Sequence, residues 1–171
     1  MFSAEQIRRL LGLLAQELHA GGHTAELFLV GGAAMAVAYD RDRATRDLDA
    51  VFEPKTIVDE AAHRVARAEG IQEDWLNDAV KGFLPGEDPS ASVLMDLPGL
   101  RVRVASPLYL FALKAMAARA ERDADDLLIL YRLCDFADVE AALDAVQTTL
   151  GPMPLTPKTA YLLRELLQKD R

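Results

Sequence analysis

Two aspartates, Asp47 and Asp49, stand one residue apart in "RATRDLDAVF", and a glycine pair, Gly31-Gly32, precedes them with fourteen residues between. Side chains at i and i+2 of a strand project from the same face, so this spacing sets two carboxylates side by side. Such a pair repels and is comfortable only with a cation beside it. Oxygen donors favour a hard ion such as Mg²⁺, which commonly keeps substrate phosphates in its remaining positions. Two such ions about 4 Å apart clamp the attacking and leaving oxygens of a phosphoryl or nucleotidyl transfer. Gly31-Gly32 supplies a complementary part. Glycine lets the backbone approach a phosphate closely, and a helix starting there offers free N–H groups to an anion. Each feature alone also has a plain structural reading: a tight turn, and an acidic strand end paired with Arg43 or Arg46.

The elements that must position these residues are legible nearby. "AELFLV" (25–30) is short, apolar and bounded by glycines, which predicts a buried strand. "AAMAVAY" (33–39) suits a helix starting right after the glycines, and "DRDRATR" reads as a loop. "DLDAVF" (47–52) alternates Asp47, Asp49 and Val51 against Leu48, Ala50 and Phe52, the period of a strand. Before them, Ser3 can cap a helix with leucines at 10, 11, 14 and 18. After them come a helix over 56–69, a short helix near Trp75, and a Pro/Gly/Ser loop. "VLMDL" and "LRVRVA", joined by Pro98-Gly99, predict a hairpin. The rest turns helical, over about 106–119, 123–135, 137–148 and 157–169. The pattern predicts an α+β fold: a small mixed β-sheet core over 1–105 and a helical C-terminal part over 106–171, within a single domain.

"PLYLFALKAMAARAERDADDLLIL" holds a second set of charged residues. Leu108, Phe111, Ala112, Ala115 and Met116 form a helical apolar face with Lys114 off its centre. Periodicity reads Lys114 as a surface lysine laying its stem along that face. Asp123 reads as an N-cap with Asp126 in the first turn behind it. The functional alternative uses the same positions. Asp123 and Asp126 share a helical face, and Lys114 stands over a phosphate as a point charge with Arg119 or Arg122 beside it.

Composition narrows the function classes. With 19 Lys and Arg against 27 Asp and Glu, the formal charge is −8. That argues against a broad basic surface for non-specific nucleic-acid binding. Local basic clusters remain: Arg41, Arg43 and Arg46; Arg101 and Arg103; Lys114, Arg119 and Arg122. One cysteine, Cys134, allows no internal disulfide and reads as a buried helical thiol. No basic-then-apolar leader opens the chain and no apolar run reaches the roughly 20 residues of a membrane span, so a cytoplasmic protein is expected.

The order strand, Gly-Gly, helix, arginine-rich loop, then Asp-x-Asp on a second strand resembles the polymerase-β-type nucleotidyltransferase superfamily. More closely, "LVGGAAMAVAY", "RATRDLDAVF" and "ASPLYLFALKAMAARAERDADDLLIL" resemble the AbiEii-like nucleotidyltransferase toxins of bacterial toxin–antitoxin pairs. The likeness covers residues 27–52 and 102–133, and the segment 55–100 matches only in layout. It implies Mg²⁺-dependent transfer of a nucleotidyl group from an NTP to an acceptor hydroxyl, such as a tRNA 3′ end, held in check by an antitoxin partner. It implies Asp47, Asp49, Lys114 and Asp126 as catalytic residues. Gly31, Gly32, Arg43, Thr45, Arg46, Arg122 and Asp123 are implied for the nucleotide. Asp47 and Asp49 are implied as metal ligands, with Asp96 of "VLMDLPG" the nearest candidate for the superfamily's third carboxylate. Two departures stand out. The turn reads Gly31-Gly32-Ala33, with no Ser or Thr next to the glycines, and Asp96 is equally readable as a turn residue. A different class of function uses the same residues: a catalytically inactive nucleotidyltransferase-like binding or regulatory module. Within the enzyme class, an antitoxin-type or antibiotic-modifying transferase is the alternative.

Overall fold

The computed structural model describes residues 1–40, 42–117 and 120–168, with the backbone alone for 120–122. The chain is α+β, with helices around a five-stranded mixed sheet. It divides into two compact units, Met1–Phe83 with Ser90–Ala105, and Leu84–Pro89 with Ser106–Arg171.

The first unit holds the sheet. Its strands are β1 (Ala25–Leu29), β2 (Leu48–Glu53), β3 (Leu76–Asn77), β4 (Ser92–Leu97) and β5 (Leu100–Val104), in the order β3-β2-β1-β5-β4. β1 runs antiparallel to β2 and parallel to β5; β2 and β3 are parallel, β4 and β5 antiparallel. Alternation decides the faces. Leu27, Leu29, Leu48, Ala50, Phe52, Leu100, Val102 and Val104 are buried. Their alternates include Glu26, Phe28, Asp49, Val51, Glu53, Arg101 and Arg103, none of them fully buried.

Helices α1 (Ala4–Ala20) and α3 (Lys55–Glu69) pack on the buried face. Ser3 starts α1 through a full capping box with Gln6, and Ile7, Leu10, Leu11, Leu14 and Leu18 form its inward stripe. Gly70 ends α3 in the left-handed conformation. The hairpin turn presses on α1: a Cβ added at Gly99 would lie 2.7 Å from the His19 backbone nitrogen. Only glycine fits there.

The helix expected over 33–39 begins earlier and changes character. α2 covers Gly31–Ala34 and runs into a π-helical turn, Met35–Tyr39. Tyr39 Oη donates to Ala105 O at 2.7 Å, and Arg8 Nη2 donates to Val37 O at 3.0 Å. Both bonds fix the segment that follows the glycines. The region near Trp75 holds a 3₁₀ turn (Glu73–Trp75), the two-residue β3, and a further 3₁₀ segment (Ala79–Phe83).

The second unit is helical: α4 (Pro107–Ala117), α5 (Ala120–Cys134), α6 (Val139–Leu150) and α7 (Pro157–Gln168). Phe111, Tyr131 and Phe136 form a ring cluster with centroids 5.6 to 6.3 Å apart, within the range of favourable tilted contacts. Asp88, from the short loop of this unit, accepts from Ser106 N at 2.7 Å and Ser106 Oγ at 3.0 Å, fastening the start of α4. Among the described residues, no helix is long and apolar enough to cross a membrane.

Candidate functional site

The glycine turn and the acidic pair come together in the first unit. Gly31 adopts φ +61°, a conformation that side chains disfavour. A Cβ there would lie 3.0 Å from Asp49 Oδ2. A Cβ at Gly32 would lie 2.8 Å from Thr45 Oγ1 and 3.3 Å from Thr45 Cβ. The glycines are therefore what lets the turn sit directly against Asp49 and Thr45. Val30 N donates to Asp49 O at 3.0 Å, which ties the end of β1 to the start of β2. The first backbone bond of α2 runs from Ala34 N to Val30 O at 3.3 Å. The N–H groups of Gly31, Gly32 and Ala33 thus lie ahead of the helical ladder.

Asp47 departs from the expected geometry. It falls in a bend just before β2, not on the strand, so the i, i+2 rule does not fix its direction. Asp49 is on the strand, on the face that α1 and α3 leave uncovered, and is half-buried. Thr45 Oγ1 donates to Asp47 O at 3.0 Å and so holds this bend. Arg43 is half-buried and Arg46 is exposed, its carbonyl accepting from Gln72 Nε2 at 3.1 Å.

Asp96 is a correction. Its register partner on β5 is Arg101, which aligns with Glu26 on β1, four residues before Val30. Asp49 lies three strands away, about 14 Å at the usual ~4.8 Å spacing, and at the other end of the sheet. The cause is the hairpin: Pro98-Gly99 turns the chain at the end remote from the glycine turn, and Asp96 stays beside that turn. Its side chain is 67% exposed, 4.0 Å from Arg101 Nε. It does not join Asp47 and Asp49 as a third ligand. A shallow cleft of about 250 Å³ lies at this remote end, lined by Thr24, Glu26, Glu53, Asp96 and Arg101 among others, and includes none of the turn residues.

The residue the structure does place beside Asp49 is Asn77, its register partner on β3. Partners in register share a face, so the amide is the neighbour that Asp96 was expected to be. Sequence reading missed it because two residues show no periodicity. The available signal was Asn77 two positions after the buried Trp75. Among the described residues, no three or more His, Cys, Asp or Glu side chains gather as a metal site. Two carboxylates and a neutral amide still suit Mg²⁺, which is commonly held by one or two carboxylates plus substrate phosphates.

None of the family models, curated proteins or solved structures matches this chain.

In the second unit, Lys114, Asp123 and Asp126 form one cluster. Lys114 Nζ lies 2.9 Å from Asp123 Oδ1 and 2.6 Å from Asp126 Oδ2, with only 11% of its side chain exposed. The surface lysine that periodicity predicts is thus a buried ion-pair centre, because α5 packs over that side of α4. α5 begins at Ala120, so Asp123 lies in its first turn instead of capping it, and Asp126 lies one turn further in. Asp126 is the more buried, at 1%. The side chain of Arg122 lies outside the described residues, as do those of Arg119 and Arg41.

Two groups of this unit have displaced acidities. Tyr109 is pushed up to about 12, chiefly by burial and then by the charge of Asp88. Its Oη donates to Gly86 O at 2.6 Å. Burial raises the Cys134 thiol to about 11, so it is a weak nucleophile at neutral pH.

Proposed function

We propose that the chain is an AbiEii-like nucleotidyltransferase, transferring a nucleotidyl group from a Mg²⁺-bound NTP to an acceptor hydroxyl. The observation that carries the reading is the turn itself. Two glycines, one at positive φ, lie within a methyl's reach of an aspartate carboxylate and a threonine hydroxyl. Backbone donors and acidic oxygen ligands so close together suit a phosphate chain with its metal.

In this reading Asp47 and Asp49 hold the metal, and Asn77 borders it with its amide. Bound there, Mg²⁺ supplies charge neutralisation for the phosphates and orients them for in-line attack. The chain's own part is to present the N–H groups of Gly31, Gly32 and Ala33 to phosphate oxygens, with Arg43 and Arg46 on the flanking loop. An acceptor hydroxyl attacks the α-phosphorus, the bond to the bridging oxygen breaks, and pyrophosphate leaves while the hydroxyl proton passes to solvent. Lys114 and Asp126 belong to the proposed machinery through the resemblance alone. The preferred acceptor is RNA such as a tRNA 3′ end, in a cytoplasmic toxin paired with an antitoxin. With a net charge of −8, local arginines would have to grip it.

One observation favours a second reading, an inactive nucleotide-binding or regulatory module: Asp96 is remote, and the neighbour of Asp49 is the amide Asn77. Incubation with labelled NTPs, Mg²⁺ and total RNA or protein separates the two. Label transferred by the wild type and lost in Asp47→Ala supports the enzyme. NTP binding without transfer to any acceptor supports the module, and no binding at all removes both.

A further inference from the structure

We infer that Thr45 is a positioning residue: it sets the separation between the Gly31-Gly32 turn and the acidic pair, and it is the reason position 32 is glycine. The inference rests on reading that pair as a metal–nucleotide site. Thr45 touches both halves at once. On one side its Oγ1 and Cβ fill the space beside Gly32, leaving none for a Cβ there. On the other its hydroxyl donates to the carbonyl of Asp47 at 3.0 Å.

Thr45 is itself anchored from a third direction. Phe2 and Thr45 exchange both backbone hydrogen bonds, at 2.6 and 3.0 Å, as an isolated antiparallel bridge. The capping box of α1 begins at the next residue, Ser3. A buried helix therefore fixes Phe2, Phe2 fixes Thr45, and Thr45 fixes Asp47 relative to Gly32. Asp47 needs such an outside support because it lies in a bend and not in the strand ladder. Asp49 has the strand. An error of about 1 Å in such geometry can lower activity on the order of a hundredfold, so the clasp is a matter of site geometry more than of fold.

The test is equilibrium binding of Mn²⁺ with each of ATP, GTP, CTP and UTP to the full chain, by titration calorimetry and Mn²⁺ electron paramagnetic resonance. Thermal unfolding is recorded for every variant. Thr45→Val keeps the backbone bridge and removes the O–H; it should weaken Mn²⁺–NTP binding roughly tenfold, the scale of one hydrogen bond. Thr45→Ser keeps the hydroxyl and should bind within about threefold of wild type. Gly32→Ala should weaken binding by a similar factor, because its Cβ meets Thr45 Oγ1. The double variant Gly32→Ala/Thr45→Ala should bind no worse than about twofold below Thr45→Ala, since the clash is gone and the two effects are not additive. Melting points should stay within a few degrees for all.

Wild-type binding with unchanged Thr45→Val affinity overturns the inference and leaves the site reading intact. The same holds if Gly32→Ala costs equally with and without Thr45. If Thr45→Ser behaves like Thr45→Val, the hydroxyl is not what matters. If the wild type binds no Mn²⁺–NTP, the site reading falls first and the inference with it.

Discussion

Two pairs of aspartates in this protein live under opposite conditions. Asp123 and Asp126 close around Lys114 in the second unit at 2.9 and 2.6 Å, with the lysine side chain only 11% exposed. Asp47 and Asp49 sit half-buried beside glycine backbone, one in a bend and one on a strand face that helices leave uncovered. Buried opposite charges in contact satisfy each other and make removal of one costly to the fold. Half-exposed acids beside bare backbone contribute little to stability and keep their oxygens available to a ligand. The comparison separates residues whose loss unfolds the protein from residues whose loss silences it.

The largest expected effect tests the buried side of that contrast. Lys114→Met removes the ammonium and leaves Asp123 and Asp126 close together in a buried setting. It should destabilise by about 3–5 kcal/mol in urea or guanidinium unfolding. A loss below about 1 kcal/mol would show that the cluster is solvated in practice. Asp49→Asn, by contrast, should cost no more than about 1 kcal/mol of stability while lowering nucleotidyl transfer at least a hundredfold, the scale of losing an electrostatic group at a reacting centre. Should Asp49→Asn unfold the protein and Lys114→Met leave it stable, the assignment of the two pairs is inverted.

Much of this contrast lay in the sequence, but not its decisive half. The Ser3 cap, β1, β2, α3 ending at Gly70 and the hairpin at Pro98-Gly99 all follow from local patterns, and the fold class follows from their order. Local pattern could not say which strands become neighbours. Asp96 reads as a strand residue near a turn, and only the β3-β2-β1-β5-β4 order puts it at the wrong end of the sheet. Asn77 sits in a strand too short to show a period. Lys114 lies off the centre of its helix's apolar face, and its burial depends on where α5 docks. Glycine at 31 and 32 was legible as a turn; the reason for glycine at 32 was not, because Thr45 is distant along the chain.

Asp88 offers an intermediate test, since it is a buried carboxylate whose described partners are the backbone N–H and hydroxyl of Ser106 rather than a cation. Asp88→Ala leaves a buried N–H without its acceptor at the start of α4. A loss of about 1.5–3 kcal/mol is expected, between the Lys114 and Asp49 effects. Stability equal to wild type would mean that Ser106 alone starts the helix.

The same corner gives a pH dependence. Tyr109 is raised from an ordinary 10 to about 12, so the folded state holds its phenol proton more tightly than the unfolded chain does. Its contribution is full below pH 10 and is lost as pH rises through about 12. Tyr109→Phe should therefore flatten the alkaline fall in stability between pH 10 and 12. It should cost only about 1 kcal/mol at pH 7, from the lost bond to Gly86 O. Parallel wild-type and Tyr109→Phe curves over that window would show that the phenol ionises freely in the folded protein.

The smallest expected effect is the most pointed for the acidic pair. Asp96 is 67% exposed, faces Arg101 at the 4.0 Å limit of an ion pair, and lies three strands from Asp49. Surface pairs of this kind contribute roughly 0–1 kcal/mol. Asp96→Ala should leave unfolding within about 0.5 kcal/mol of wild type, and should leave Mn²⁺–NTP affinity and transfer rate unchanged. Asn77→Ala, at the position that does flank Asp49, should weaken Mn²⁺–NTP binding measurably. If Asp96→Ala loses metal affinity and Asn77→Ala does not, the third ligand comes from the hairpin after all, and the sheet order seen here is not the order in the active protein.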